Sequence, residues 1–168
     1  MTSTPKSNDE LRIYVAEEAL RYLGIPYKFG ATLDEAPNCF DCSSFTKYLY
    51  AKIGIELPRR SLEQAAVKEH AIIADFLHNG KTKRIDPEQS PLFWKPGDLL
   101  FMRGIRGNYR DSLFDNGKEY CIGHVAMYLG DGMAINARSP QGVRAVSLRV
   151  LQQPWPKYKI ILVKRVLL

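Results

Sequence analysis

The hydrophobic pattern of this chain changes period at Pro96-Gly97, and that change restricts the fold more than any other feature. Upstream, apolar residues recur at helical spacing. Leu11, Val15, Ala19 and Leu23 form a stripe over residues 8–23, with Asn8 as cap and Gly24 as stop. Phe45, Tyr48, Leu49 and Ile53 form a second stripe behind an Asp41 cap, and Gly54 ends it. Ser61 can cap a third helix reaching about Ala74, with Leu62, Ala65 and Ala66 inward and His70 at the margin of the stripe. Downstream the apolar runs are short: Asp98–Met102, His124–Leu129, Met133–Ala137, Val143–Ser147 and Tyr158–Val166. Helices first and strands second imply an α+β fold, with N-terminal helices packed on a C-terminal antiparallel sheet.

The length, 168 residues, suits one domain with a sizeable core, spanning residues 1–168 with 1–8 as a flexible polar terminus. Residues 78–91 read as a surface loop, and Arg103–Tyr120 as a charged insertion. No apolar run is long enough to span a bilayer, and Met1–Asn8 holds no apolar signal core. Two locations fit: the inside of the cell, or the cell surface after removal of an export signal. The formal net charge of +6 suits an acidic partner such as an anionic cell wall, nucleic acid or membrane headgroups, and a generally basic, solvated surface is the simpler reading. Arg103, Arg106, Arg110, Arg138, Arg144 and Arg149 lack the aromatic interleaving of a nucleic-acid groove, so no nucleic-acid partner is expected.

Chemistry concentrates at Phe40-Asp41-Cys42-Ser43. Cys42 falls at the first position of a helix, where the macrodipole and free N–H groups favour a thiolate. The alternative is a small buried hydrophobe, the usual fate of a free cysteine. A reactive cysteine needs a base, and the base needs an orienting partner. Of the three histidines, His70 and His78 read as solvated surface, whereas His124 opens an apolar strand directly after Gly123. Asn136, the one polar residue within Ala134–Ala137, lies on the next strand. A two-residue turn at Asp131-Gly132 would place His124 and Asn136 on opposite faces. A three-residue turn with Gly132 left-handed would set Leu129 opposite Met133 and Ala126 opposite Asn136. His124 and Asn136 would then be diagonal neighbours about 7–8 Å apart on one face. The Asn136 oxygen could accept the imidazole N–H, and Cys–His–Asn is a known variant of triad logic.

Six pieces in order resemble the NlpC/P60 family of papain-like cysteine peptidases. They are Leu23-Gly24-Ile25-Pro26-Tyr27 with Gly30, Phe40-Asp41-Cys42-Ser43, Leu57-Pro58-Arg59 with Ser61 and Gln64, Pro96–Phe101, Gly123–Gly130 and Gly142-Val143. The resemblance implies a papain-like α+β fold with Cys42 as nucleophile, His124 as base and Asn136 as the third residue. It implies that Tyr27 and the Cys42 N–H form the oxyanion site, with Asp41, Ser43 and Gly123 lining the substrate cleft and Arg59 pairing with Asp41. It implies a peptidoglycan stem peptide, often beside a γ-linked D-glutamate, as substrate, and no cofactor. Ser44 stands where the family has glycine and is expected to narrow the cleft. Gly123 stands where members that bind a free L-alanine amine have serine, and Ala31 replaces a second glycine.

Two rivals use the same residues. Cys39-x-x-Cys42 and Cys121-x-x-His124 have zinc spacing, and a Cys3His site would make this a binding module. Alternatively, Cys39 or Cys121 could guard Cys42 through a disulfide. An amidase or acyltransferase of the same fold would act on another acyl substrate.

Overall fold

The computed structural model describes residues 6–78, 81–82, 92–103, 109–110, 119–155 and 157–168. Helix α1 spans Asn8–Ala19 and continues as a 3-10 turn, Leu20–Tyr22. Its cap is Ser7, one residue earlier than the sequence suggests. Ser7 Oγ accepts the Glu10 N–H while the Glu10 carboxylate accepts the Ser7 N–H, closing a capping box that Asn8 could not form with its neighbours. Helix α2 spans Cys42–Ala51 and α3 spans Ser61–Ala66. The cap of α3 is Arg60, whose N–H and guanidinium both bond Glu63, rather than Ser61.

The third helix ends eight residues earlier than its pattern suggests. Ala71–Asp75 is instead strand β1, which lies at the sheet edge. Its apolar residues are only half-buried, so strand pairing overrides a weak helical period there. Short strands β2 (Leu77–His78) and β3 (Lys81–Thr82) pair with one another. Then follow β4 (Leu99–Arg103), β5 (Tyr109–Arg110), β6 (Glu119–Tyr120), β7 (Ile122–Gly130), β8 (Met133–Arg138) and β9 (Gly142–Ser147). A single helical turn, α4 (Leu148–Leu151), and strand β10 (Ile160–Arg165) complete the chain. The described part of the 103–120 insertion is the β5–β6 ribbon; the rest of it, and most of 78–91, lie outside the described residues.

Among the described residues, six strands form one antiparallel sheet in the order β1-β10-β4-β7-β8-β9. Alternation along β7 sends Val125 and Met127 into the core beneath the helices, with Phe45, Leu49 and Phe101. Ala126 and Tyr128 join a second core with Trp94, Leu148 and Val163. The sheet is therefore covered on both faces, which is why β4 and β7 read as nearly continuous apolar runs. Asp98, wholly buried, anchors β4 to β10 through a two-pronged ion pair: Arg165 Nε and Nη2 donate to its two oxygens at 2.8 and 2.7 Å.

The β7–β8 turn is the joint on which the site depends. It is a two-residue turn with Gly130 opposite Met133, and Asp131 and Gly132 both at positive φ, 50° and 72°. That turn alone would separate His124 from Asn136. A bulge at Leu129 reverses the effect: Tyr128 pairs with Ala134 and Met127 with Ile135. The expected three-residue turn is thus replaced by a two-residue turn plus one extra residue in the strand. The register deeper in the sheet is the same.

Candidate active site

Cys42 is the first residue of α2, and Asp41 is its cap. Asp41 Oδ1 accepts the Ser44 N–H at 2.8 Å, and the Asp41 N–H donates to Ser44 Oγ at 2.9 Å. Ser44 is wholly buried in this capping box and is not part of the cleft wall. The expectation that its hydroxyl narrows the cleft is therefore corrected: the side chain turns back onto the helix start, where it satisfies an orphan N–H.

Arg59 clamps the same turn. Its Nη2 donates to Asp41 Oδ2 at 2.5 Å and to the Ala31 carbonyl at 2.6 Å, and its Nη1 donates to Ser43 Oγ at 3.0 Å. The Gly30 N–H adds a bond to Asp41 Oδ2 at 3.1 Å. Beneath it lies Gln64, quoted above only as a motif residue. Its wholly buried amide donates to the Ser43 and Pro58 carbonyls, each at 2.9 Å, and accepts from Thr46 Oγ1 at 2.8 Å. The available signal was a glutamine set between Leu62 and Ala65 on the inward stripe of α3.

Tyr27 is held between two edges. Gly24 and Ile25 exchange backbone bonds with Val143 on β9 at 2.9 and 2.8 Å, and Tyr27 bridges to Phe40 just before Cys42. Gly142 permits this approach. It has φ +75°, and a Cβ there would stand 2.3 Å from the Ile25 carbonyl oxygen. Burial, with Cys42 and Asp41 nearby, pushes the Tyr27 phenol up to about 12. It is a proton donor at neutral pH, and its hydroxyl has no partner among the described residues.

Gly123 is exposed and forms a second bulge in β7. Met102 pairs with His124 but Arg103 with Ile122, leaving Gly123 as the extra residue. Tyr27, Asp41, Cys42, Ser43, Arg59 and Gly123 all line one cleft of about 430 Å³, with Phe29 exposed at its rim. His124 and Asn136 are buried beside it, and His124 Nε2 lies 2.9 Å from Asn136 Oδ1. With Nε2 engaged, Nδ1 is the ring nitrogen left to exchange a proton. No hydrogen bond joins His124 to Cys42; catalytic contacts of this kind often tighten only in the complex with substrate. The link is one peptide long: the N–H of Val125, next to His124, approaches the Cys42 sulfur.

The electrostatics differ from the sequence expectation of a thiolate. Burial and the Asp41 carboxylate push the Cys42 thiol up to about 11, although the N–H groups of Val125 and Ser43 favour the anion. Burial holds His124 down to about 4; the Asn136 bond and Asp41 oppose this, while Arg138 adds to it. The resting pair is thiol and neutral imidazole, because desolvation outweighs the helix N-terminus.

Cys39, Cys42 and Cys121 are all free. Cys39 lies near Lys28 and Cys121 near Lys159. No group of three or more His, Cys, Asp or Glu among the described residues could hold a metal ion, so Cys39, Cys42, Cys121 and His124 do not assemble into the zinc set that their spacing allows. His70, expected as solvated surface, is half-buried just after α3: its Nδ1 is buried without a partner among the described residues, and Lys164 lies nearby.

A helix that begins on a cysteine, packed against an antiparallel sheet carrying an Asn-bonded histidine, defines a papain-like architecture. The NlpC/P60 family model matches residues 24–165, and the chain belongs to that family. It is 35% identical over 146 residues to the probable endopeptidase p60 of Listeria monocytogenes, covering 87% of this chain and 22% of that protein. It is 33% identical over 123 residues to the bifunctional muramidase/DL-endopeptidase CwlT of Bacillus subtilis, covering 73% and 28% respectively. The chain therefore spans under a third of the length of both relatives. The solved NlpC/p60 domain of peptidoglycan hydrolase SagA matches with a TM-score of 0.56 at 26% identity, over 91% of this chain and 97% of that one. No helix among the described residues is long and apolar enough to cross a membrane.

Proposed function

We propose that this protein is a cysteine peptidase that hydrolyses peptide bonds in bacterial peptidoglycan stem peptides or their fragments. The observation that carries the reading is the 2.9 Å His124–Asn136 bond beside a cleft lined by the first residue of α2. The relatives named as endopeptidase and peptidoglycan hydrolase supply the substrate class.

In this mechanism Cys42 Sγ attacks the scissile carbonyl carbon as its proton moves to His124 Nδ1. Asn136 holds the ring through Nε2 and stabilises the imidazolium that forms. The carbonyl oxygen becomes an oxyanion near the Cys42 N–H and the Tyr27 hydroxyl, both without acceptors among the described residues. The C–N bond then breaks, and His124 protonates the departing amine. Water, deprotonated by His124, attacks the thioester, releasing the acid and returning the thiol. A neutral resting pair suits this sequence, since the proton transfer accompanies attack.

The test is digestion of purified peptidoglycan with mass spectrometry of the fragments. Wild type should release stem-peptide fragments and Cys42→Ala should release none. Equal release by both ends the proposal. Release of an aminolysis or alcoholysis product instead of the free acid would assign an acyltransferase.

A further inference from the structure

A second cavity, of about 180 Å³, has Asn136 in its wall but neither Cys42 nor His124. The β8–β9 register sets Arg144 directly opposite Asn136. Arg138 follows Asn136 by two residues, so the three side chains share a face. Arg138 is fixed in place. Its Nη2 donates to the Gln153 carbonyl at 2.9 Å, its Nη1 to the Leu151 carbonyl at 3.3 Å, and its Cζ stands 3.7 Å from the centre of the Tyr158 ring. These contacts hold the guanidinium but leave its charge unpaired. Among the described residues no carboxylate pairs with Arg138 or Arg144, and the cavity lining contains no acid. Asn136 turns Oδ1 to His124, which leaves its Nδ2 amide as a donor without an acceptor among the described residues.

Two guanidiniums and an amide donor facing one small cavity select an anion, and planar forks suit a carboxylate or a phosphate. Val146, Val150 and Leu151 add a smaller apolar part to a lining that Ser139, Gln141 and Gln153 otherwise keep polar. A carboxylate with a short hydrocarbon part fills both the charged and the apolar sides; inorganic phosphate fills only the first. The volume is below the roughly 300–1,000 Å³ of sites for larger ligands. The geometry points to a binding site for a carboxylate of amino-acid size, held by Arg138 and Arg144 and touching the Nδ2 face of Asn136. The ligand and His124 then share one amide side chain, so occupancy is felt at the histidine without entering the Cys42 cleft.

The proposal does not depend on the protein being a peptidase, and its test needs no turnover. N-acetylglycine, N-acetylglycinamide and inorganic phosphate are titrated separately into the full chain, with calorimetry and NMR detection of the Asn136 side-chain amide and the His124 ring. N-acetylglycine should bind at one site and move both signals, and the uncharged amide should not bind. Arg144→Gln should weaken the acid about tenfold, with Arg144→Lys intermediate, as expected for loss of a charge-assisted contact. Melting curves of both variants should match wild type, because among the described residues the Arg144 side chain makes no hydrogen bond or ion pair. Equal binding of acid and amide, tighter binding of phosphate, unchanged affinity in Arg144→Gln, or binding that leaves Asn136 and His124 unmoved would each overturn it.

Discussion

The two halves of the candidate site are built by different means. On the Cys42 side every constraint is short-range or ionic: the Asp41–Ser44 capping box, the Arg59 clamp and the Gln64 amide all converge on one helix start. On the His124 side the constraint is a register, set by a two-residue turn and by bulges at Leu129 and Gly123. A cap fails locally and shows up as lost stability. A register fails collectively, since a slip of one residue moves a side chain to the other face. The first half should therefore break as stability and the second as activity.

The largest expected effect is on the first half. Asp41→Ala removes the α2 cap and leaves the partly buried Arg59 without its carboxylate. A loss of about 3 kcal/mol is expected in denaturant unfolding. Adding Arg59→Leu should recover part of it, because the stranded charge is gone. No recovery would mean that the pair itself contributes little.

Next is Asn136→Ala, which should lower kcat on a stem-peptide substrate about 100-fold while the fold persists. The acid limb of the rate profile should also shift downward, because the Asn136 bond favours protonated His124. Loss of stability with unchanged kcat would show Asn136 to be structural only.

The wild-type pH dependence follows from the lowered His124 value. kcat/KM should rise through about pH 4 as the imidazole loses its proton, then stay level through neutrality. A limb near the ordinary histidine value of 6.5 would indicate a less buried ring. The linkage sign is set by burial: between 6.5 and about 4 the unfolded chain binds a proton that folded His124 does not. Its contribution to stability is therefore present above 6.5 and declines as pH falls through that window.

The smallest effect should come from Ser44→Gly, which installs the family residue. Losing the capping hydroxyl and adding glycine to a first turn should cost about 1 kcal/mol of stability. kcat should not change, because Ser44 is buried away from the cleft. A higher kcat would restore the discarded idea that its hydroxyl obstructs substrate.

Much of this was legible in the chain. The helix start at Asp41-Cys42 rests on a cap and a stripe, both local, and the structure keeps it within two residues of its expected end. The five downstream strands lie where their apolar runs suggested. The third helix is shorter than its pattern because Ala71–Asp75 has a helical period but is recruited by β10, a partner about ninety residues away. The resting charge of Cys42 departs from its sequence signal for a similar reason: the helix N-terminus is visible in sequence, but the burial that outweighs it is not.

The sequence by itself determined the parts whose causes lie within a few residues: the cap at Asp41, the cysteine at the first turn, the alternating strands, and the family motifs in order. Tertiary structure alone decided whether those parts meet. The turn at Asp131-Gly132 would have set His124 and Asn136 on opposite faces, and one extra residue at Leu129 returned them to the same one. Such a bulge is chosen by packing on both sheet faces at once, against α2 on one side and Trp94 and Leu148 on the other, and no local signal in the strand carries that choice.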